Sequence, residues 1–195
     1  SDTQNPTQQW TINIDGNLLG TRKIANTLYI VSQKQPYDIV YYPYNESQVL
    51  ANIDTINALS IDDFLPQITI NDQTLPLVDA ANCYIPNTLE NSVAYQPAVT
   101  TITAIDLTDI TQRSSSCYAG DVSGIYATKN AVYLAAETQP YYLWWWADSS
   151  LTEETEDPAT ENKFDTQTLL ANSRQNTLVH KFGINNLALD YRGSA

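Results

Sequence analysis

Apolar and polar side chains alternate through "TTITAIDLTD", residues 100–109, where Ile102, Ala104 and then the Ile105/Leu107 pair carry the apolar beats. The stretch that starts at Thr177, "TLVHKFGINN", does the same through Val179, Phe182 and Ile184. Such alternation predicts half-buried strands, because successive strand side chains point to opposite faces. Each stretch ends on two turn residues, Thr108-Asp109 and Asn185-Asn186, and each is followed by a short strand-like run closing on "CYAG" or "DYRGS". At the front, "QWTINIDGNLL" alternates Trp10, Ile12 and Ile14 ahead of Asp15-Gly16, which reads as a strand pair joined by a tight turn.

Helical spacing replaces this pattern only between residues 44 and 98. There Val49, Leu50, Ile53, Ile56 and Leu59 recur every three or four residues, with Ser47 as the expected cap and Pro66 ending the run. Within it, "SIDDFLP" reads as a helical turn opened by Ser60, whose first-turn acids Asp62 and Asp63 suit the positive end of the helix dipole. "ITIND" and "TLPLVD" then read as a short hairpin leading to Cys83.

The strands recur as a repeat. "ANTLYIVSQKQPYDIVYYP" from Ala25 aligns without gaps on "KNAVYLAAETQPYYLWWWA" from Lys129. Asn26, Tyr29, Gln35, Pro36 and Tyr37 fall on Asn130, Tyr133, Gln139, Pro140 and Tyr141. Val40, Tyr41 and Tyr42 fall on Trp144, Trp145 and Trp146, so the slot of the tryptophan run demands large β-formers. Each copy reads as "TLYIV" or "AVYLA", then an aromatic second strand after Gln-Pro, an insertion, and the two later strands. The expected fold is all-β and β-propeller-like, with four-stranded antiparallel blades in about two repeats and one small helical insertion. The chain reads as a single domain, 1–195. Repeat 1 spans about 20–120 with the helical insertion at 44–98, and repeat 2 about 124–195 with an acidic loop at 147–175. Closed propellers use about four to eight blades, so two repeats form an arc that belongs to a larger protein or closes by self-association.

This order of elements resembles secreted bacterial and archaeal proteins that contain a C-terminal β-propeller domain. The residues that carry the resemblance are "TRKIANTLYIVSQ", "IDDFLP" after a helical stretch, "SGIYATKNAVYLAA", and "NTLVHKF" followed by "DYRGSA". The resemblance spans nearly the whole chain. It implies export and a propeller-like all-β architecture, and it implies no catalytic residues.

Composition narrows the choice of partner. A hydrophobic fraction of 43% over 195 residues supports a real core. No apolar run approaches the roughly 20 residues of a membrane helix, so a soluble chain without membrane insertion is expected. The chain holds no methionine, so a processed or excised piece is expected. Its net charge of −13, from 22 acids against 9 bases, argues against nucleic acid and against anionic membrane surfaces.

Candidate chemistry is sparse. His180 is the sole histidine, which rules against multi-histidine metal sites, and it reads as a strand histidine at a blade surface. Glu153, Glu154, Glu156, Asp157 and Glu161 lie in a run without the glycine-punctuated loop that calcium sites use, so a solvated acidic loop takes precedence over weak calcium binding. Cys83 and Cys117 fit no zinc spacing and are expected to form a disulfide, with a pair of structural thiols as the alternative; a bridge would contribute roughly 3–4 kcal/mol. No catalytic residue, metal or cofactor is expected.

The aromatics remain as candidate ligand-binding residues: Trp144, Trp145, Trp146, Tyr41 and Tyr42. In a strand Trp144 and Trp146 face one way and Trp145 the other, so the run serves either as blade wall or as an aromatic platform for sugars. The expected function is a non-enzymatic extracellular binding or scaffold module at the cell surface. Its partner is a protein, a surface polysaccharide, or another copy through open blade faces. Two alternatives stand beside it: an extracellular hydrolase acting on glycans or peptides, and a purely structural propeller segment.

Overall fold

Mostly antiparallel strand pairing builds this protein, whose computed structural model describes residues 8, 10–35, 45–85, 98–138 and 176–195. The strands are β1 (Ile12–Ile14), β2 (Asn17–Ile24), β3 (Thr27–Lys34), β4 (Gln67–Ile70), β5 (Gln73–Pro76), β6 (Cys83–Tyr84) and β7 (Val99–Asp106). They continue with β8 (Arg113–Ala119), β9 (Gly124–Ala127), β10 (Ala131–Thr138), β11 (Asn176–Asn185) and β12 (Ala188–Ser194). Helices α1 (Glu46–Ala58) and α2 (Ile61–Phe64) fall between β3 and β4.

The first sheet has the order β2-β3-β7-β8, with β6 added parallel to β8 at its edge. The second sheet is a plain meander, β9-β10-β11-β12, and a small third sheet joins β1, β4 and β5. The all-β class and the four-stranded units agree with the sequence pattern. One assignment is corrected. "TLYIV" and "AVYLA" are the second strands of their sheets, because β2 and β9 precede them and β3 and β10 pair directly with β7 and β11. The aromatic runs with Tyr41, Tyr42, Trp144, Trp145 and Trp146 lie outside the described residues, as does the acidic loop at 147–175.

The front segment is also corrected. β1 and β2 both form, yet they do not pair with each other: β1 runs along β4 with Ile12 opposite Ile70, and β2 runs along β3. The Asp15-Gly16 corner therefore carries the chain between two sheets. Gly16 adopts φ +98°, and a Cβ there would meet the Gln33 carbonyl oxygen at 2.3 Å, so the corner requires glycine twice over. The Asp15 carboxylate accepts from the Gln67 amide, at 3.1 Å, and faces the Lys34 ammonium at 3.6 Å.

The insertion folds much as its spacing implies, with one changed cap. Asn45, not Ser47, caps α1, its side chain accepting from the Gln48 amide at 2.9 Å. The apolar stripe of Val49, Leu50, Ile53 and Ile56 stays exposed, and α1 buries none of its side chains. Ser60 does open α2, and the Asp63 carboxylate accepts from both the Ser60 amide and its hydroxyl. Lys34 then donates to the Asp63 and Leu65 carbonyls at the other end of α2. β4 and β5 form the expected hairpin, turning at Asn71-Asp72, both at positive φ.

The two large sheets pack face to face, and their junction is the main core. Tyr29, Val31, Ile102, Ala104 and Tyr118 of the first sheet meet Val132, Leu134, Ala136, Phe182 and Ile184 of the second, all buried. Full burial of each large side chain contributes about 1.5–3 kcal/mol, so this junction holds the sheets together. A smaller cluster of Leu65, Val78 and Cys117 fastens the insertion to the other side of β8.

Candidate functional site

The junction concentrates polar and aromatic chemistry at one corner. Cys83 and Cys117 stand side by side in the β6–β8 register, with Cα atoms 4.3 Å apart, and form a disulfide. The bond holds the two-residue strand β6 against β8, and so places Tyr84 at the rim of the junction. Tyr84 stacks on Tyr191 of β12 with ring centroids 3.7 Å apart. Tyr118 of β8 lies 4.2 Å, centroid to centroid, from the ring of His180 on β11. Three tyrosines and one imidazole thus bridge the two sheets.

His180 is 1% exposed, which corrects the expectation of a blade-surface histidine. Strand alternation places it on the inner face with Phe182 and Ile184, while Lys181 takes the outer face. Its Nδ1 lies 3.2 Å from the Tyr191 hydroxyl, and its Nε2 is buried without a partner. Burial holds the imidazole below its ordinary pKa of 6.5. The opposing effects differ in size: a desolvated cation over an aromatic ring gains about 2 kcal/mol or somewhat more, against several kcal/mol for burying an unpaired charge. Neutral histidine is the form that fits. The same burial, with a hydrogen bond to Tyr84, pushes the Tyr191 hydroxyl up to about 12, and burial also raises Tyr118.

The second region is the outer face of the second sheet. The ungapped repeat places Tyr133 where the first sheet has Tyr29, and register carries the equivalence across the strands. Tyr29 pairs with Ala104 and Tyr133 with Lys181; Val31 pairs with Ile102 and Ala135 with Val179. Yet the two faces have different neighbours. Tyr29 is 3% exposed, and its hydroxyl donates to the Asn186 carbonyl of the second sheet at 2.6 Å. Beside it, the Ser114 hydroxyl donates to the Leu187 carbonyl. Ile102 is fully buried, whereas its counterpart Val179 is 37% exposed and Tyr126, next to Tyr133, is 68% exposed.

The open face has a defined chemistry. Tyr126 and Tyr133 lie 6.3 Å apart, and the Lys181 ammonium sits 5.8 Å from the centre of the Tyr133 ring. Next to them is a groove of about 420 Å³, lined by Asn130, Lys181, Gly183, Asn185, Asp190 and Arg192 among others. The Arg192 side chain lies over Gly183, where a Cβ would come within 2.9 Å of its Nε, and Arg192 pairs with Asp190 at 3.0 Å.

The sequence-predicted residues fare unevenly. Tyr41, Tyr42, Trp144, Trp145 and Trp146 lie outside the described residues. Asp62 and Asp63 belong to α2, where Asp63 caps the helix start and its hydrogen bonds to Ser60 lower its pKa. Among the described residues, no group of three or more His, Cys, Asp or Glu side chains could hold a metal. Sequence reading passed over Tyr84, Tyr118 and Tyr191 at the junction, and Tyr126, Tyr133 and Lys181 on the outer face. The alignment of Tyr29 with Tyr133 held the second group in plain view.

A family model described as "Beta propeller domain" matches residues 1–195. No curated protein and no solved structure matches the chain.

Proposed function

Since the chain belongs to the beta propeller domain family, we propose that it is a non-enzymatic binding or scaffold module. In this reading it engages a sheet-presenting protein partner through the outer face of its second sheet. One observation carries it: Tyr133 stands where Tyr29 stands, and Tyr29 is covered by a neighbouring sheet while the face of Tyr133 is open. Tyr29 and Ser114 hold the carbonyls of the Asn186-Leu187 turn, and on the outer face Lys181 and Arg192, at other positions of the sheet, offer donors around a groove. Tyrosine and arginine, both present on this face, are enriched at protein interfaces.

A second reading, a surface polysaccharide stacked on Tyr126 and Tyr133, draws support from the exposure of Tyr126. The disulfide supports work outside the cell, because such bonds persist in oxidising compartments. Among the described residues no helix is long and apolar enough to cross a membrane. The net charge of −13 disfavours nucleic acid and anionic lipid.

The test is sedimentation of the oxidised chain over a wide concentration range, with Tyr133→Ala and Lys181→Glu alongside, followed by a glycan array. Association weakened by both substitutions supports the sheet-docking reading. A chain that stays monomeric and binds glycans through Tyr126 moves the assignment to the polysaccharide. Turnover of a glycan or peptide substrate would overturn the non-enzymatic reading.

A further inference from the structure

His180 is buried at the junction of the two sheets with one ring nitrogen satisfied and one orphaned. The groups that face it are the phenols Tyr84 of β6, Tyr118 of β8 and Tyr191 of β12. Its cross-strand neighbours, Leu134 of β10 and Ser194 of β12, carry no charge. Among the described residues no ion pair involves His180, and Asp121 acts on Tyr118 rather than on the imidazole. A second proton would turn Nε2 into a charged donor with no acceptor and no counter-ion. It would also leave Nδ1 a donor only, so that the Tyr191 hydroxyl would have to act as acceptor.

We propose that His180 is an acid-operated latch: protonation parts the two sheets at the corner where β11 and β12 meet β8 and β6. The imidazolium reaches water by the shortest route, past Tyr84 and Tyr191, because β6 is only two residues long and lies at the sheet edge. Opening at this corner breaks the Tyr84–Tyr191 stack and loosens the β8 and β12 ladders, while the β9–β10 ladder stays intact. The far side of the junction, where β2 meets β9 around Leu19 and Ile125, stays packed. A chain that moves into an acidic compartment or an acidified surface layer would expose a tyrosine-rich cleft that it conceals at neutral pH.

One histidine in the chain makes the test direct, since a single imidazole resonance reports on His180 alone. The oxidised full-length chain is titrated by NMR from pH 8 to about pH 5, following the imidazole proton, the ring signals of Tyr84, Tyr118 and Tyr191, and amide exchange. The expected imidazole midpoint lies below 6.5, the ordinary value of the free group, with the three tyrosine rings shifting at the same midpoint. Exchange at the β8 and β12 amides should also speed up about 10-fold or more, with the β9–β10 pairing unchanged. His180→Leu should stay closed through the same range. If that variant does not fold, coincidence of the imidazole and tyrosine midpoints in the wild type decides alone. Protonation with unmoved tyrosine rings overturns the proposal, as does a His180→Leu chain that opens at the wild-type pH.

Discussion

Tyr84 and Tyr191 lie ring on ring, with centroids 3.7 Å apart, across a junction whose two sides are 107 positions apart in the chain (191 − 84). Tyr84 reaches that position because the residue before it is bonded to Cys117 and its strand has only two residues. The disulfide therefore does more than shorten the unfolded chain. It loads a ring into the sheet-to-sheet contact.

Reduction should loosen both. Opening a bond between cysteines 34 positions apart is expected to cost about 3–4 kcal/mol in a denaturant titration, on loop-closure entropy. The Tyr84 ring should leave the cluster at the same time, with loss of near-ultraviolet circular dichroism. A Cys83→Ser/Cys117→Ser chain as stable as the wild type would show that β6 holds its place without the bond.

Tyr29 holds the turn of the other sheet. Tyr29→Phe removes the donor to the Asn186 carbonyl and leaves that carbonyl at a half-dry surface. The expected loss is about 1–2 kcal/mol in unfolding free energy, with the slope on denaturant unchanged. Equal stability of the two proteins would mean that water replaces the hydroxyl freely.

Two glycines with positive φ should respond differently. Gly16→Ala meets both strain and a backbone oxygen at 2.3 Å, and is expected to destabilise by more than about 2 kcal/mol. Gly193→Ala faces open space, so only the backbone preference of roughly 1–2 kcal/mol applies. Thermal melts of the pair check the order, and the reverse ranking would contradict the corner at Asp15-Gly16.

Alkaline behaviour follows from the tyrosine cluster. In the folded chain Tyr191 titrates at about 12, against 10.0 when unfolded, so on raising the pH the unfolded chain gives up this proton first. The contribution of Tyr191 is then fully present below pH 10 and is lost as the pH climbs towards 12. A phenolate absorbance titration should show late-titrating tyrosines that Tyr191→Phe reduces in number. Thirteen tyrosines rising together near pH 10 would contradict the buried cluster.

Much of this fold is legible in the order of residues, because strands advertise themselves by alternation and turns by their chemistry. Ile102 with Ala104, and the hairpin of "ITIND" with "TLPLVD", read correctly from local pattern alone. What local pattern cannot carry is partnership. Ile12 and Ile14 mark a strand, but pairing with β4 instead of β2 depends on a hairpin more than 50 positions away. His180 met the same obstacle: its place on the inner face follows from alternation with Phe182, while the cover over that face comes from β6 and β8. Ser47 lost the cap to Asn45, two residues earlier, a shift that the apolar stripe alone does not determine.

The equivalent faces of the two sheets differ, the first covered and the second open, and hydroxyl-radical footprinting of the oxidised chain reads both at once. The prediction is rapid labelling of Tyr126 and measurable labelling of Tyr133 in the monomer, with Tyr29 and Phe182 protected. Under conditions where the chain associates or holds a partner, Tyr126 and Tyr133 should become protected while the inner residues stay as they were. A monomer in which Tyr133 is as protected as Tyr29, or a complex in which the outer tyrosines stay open, would contradict it.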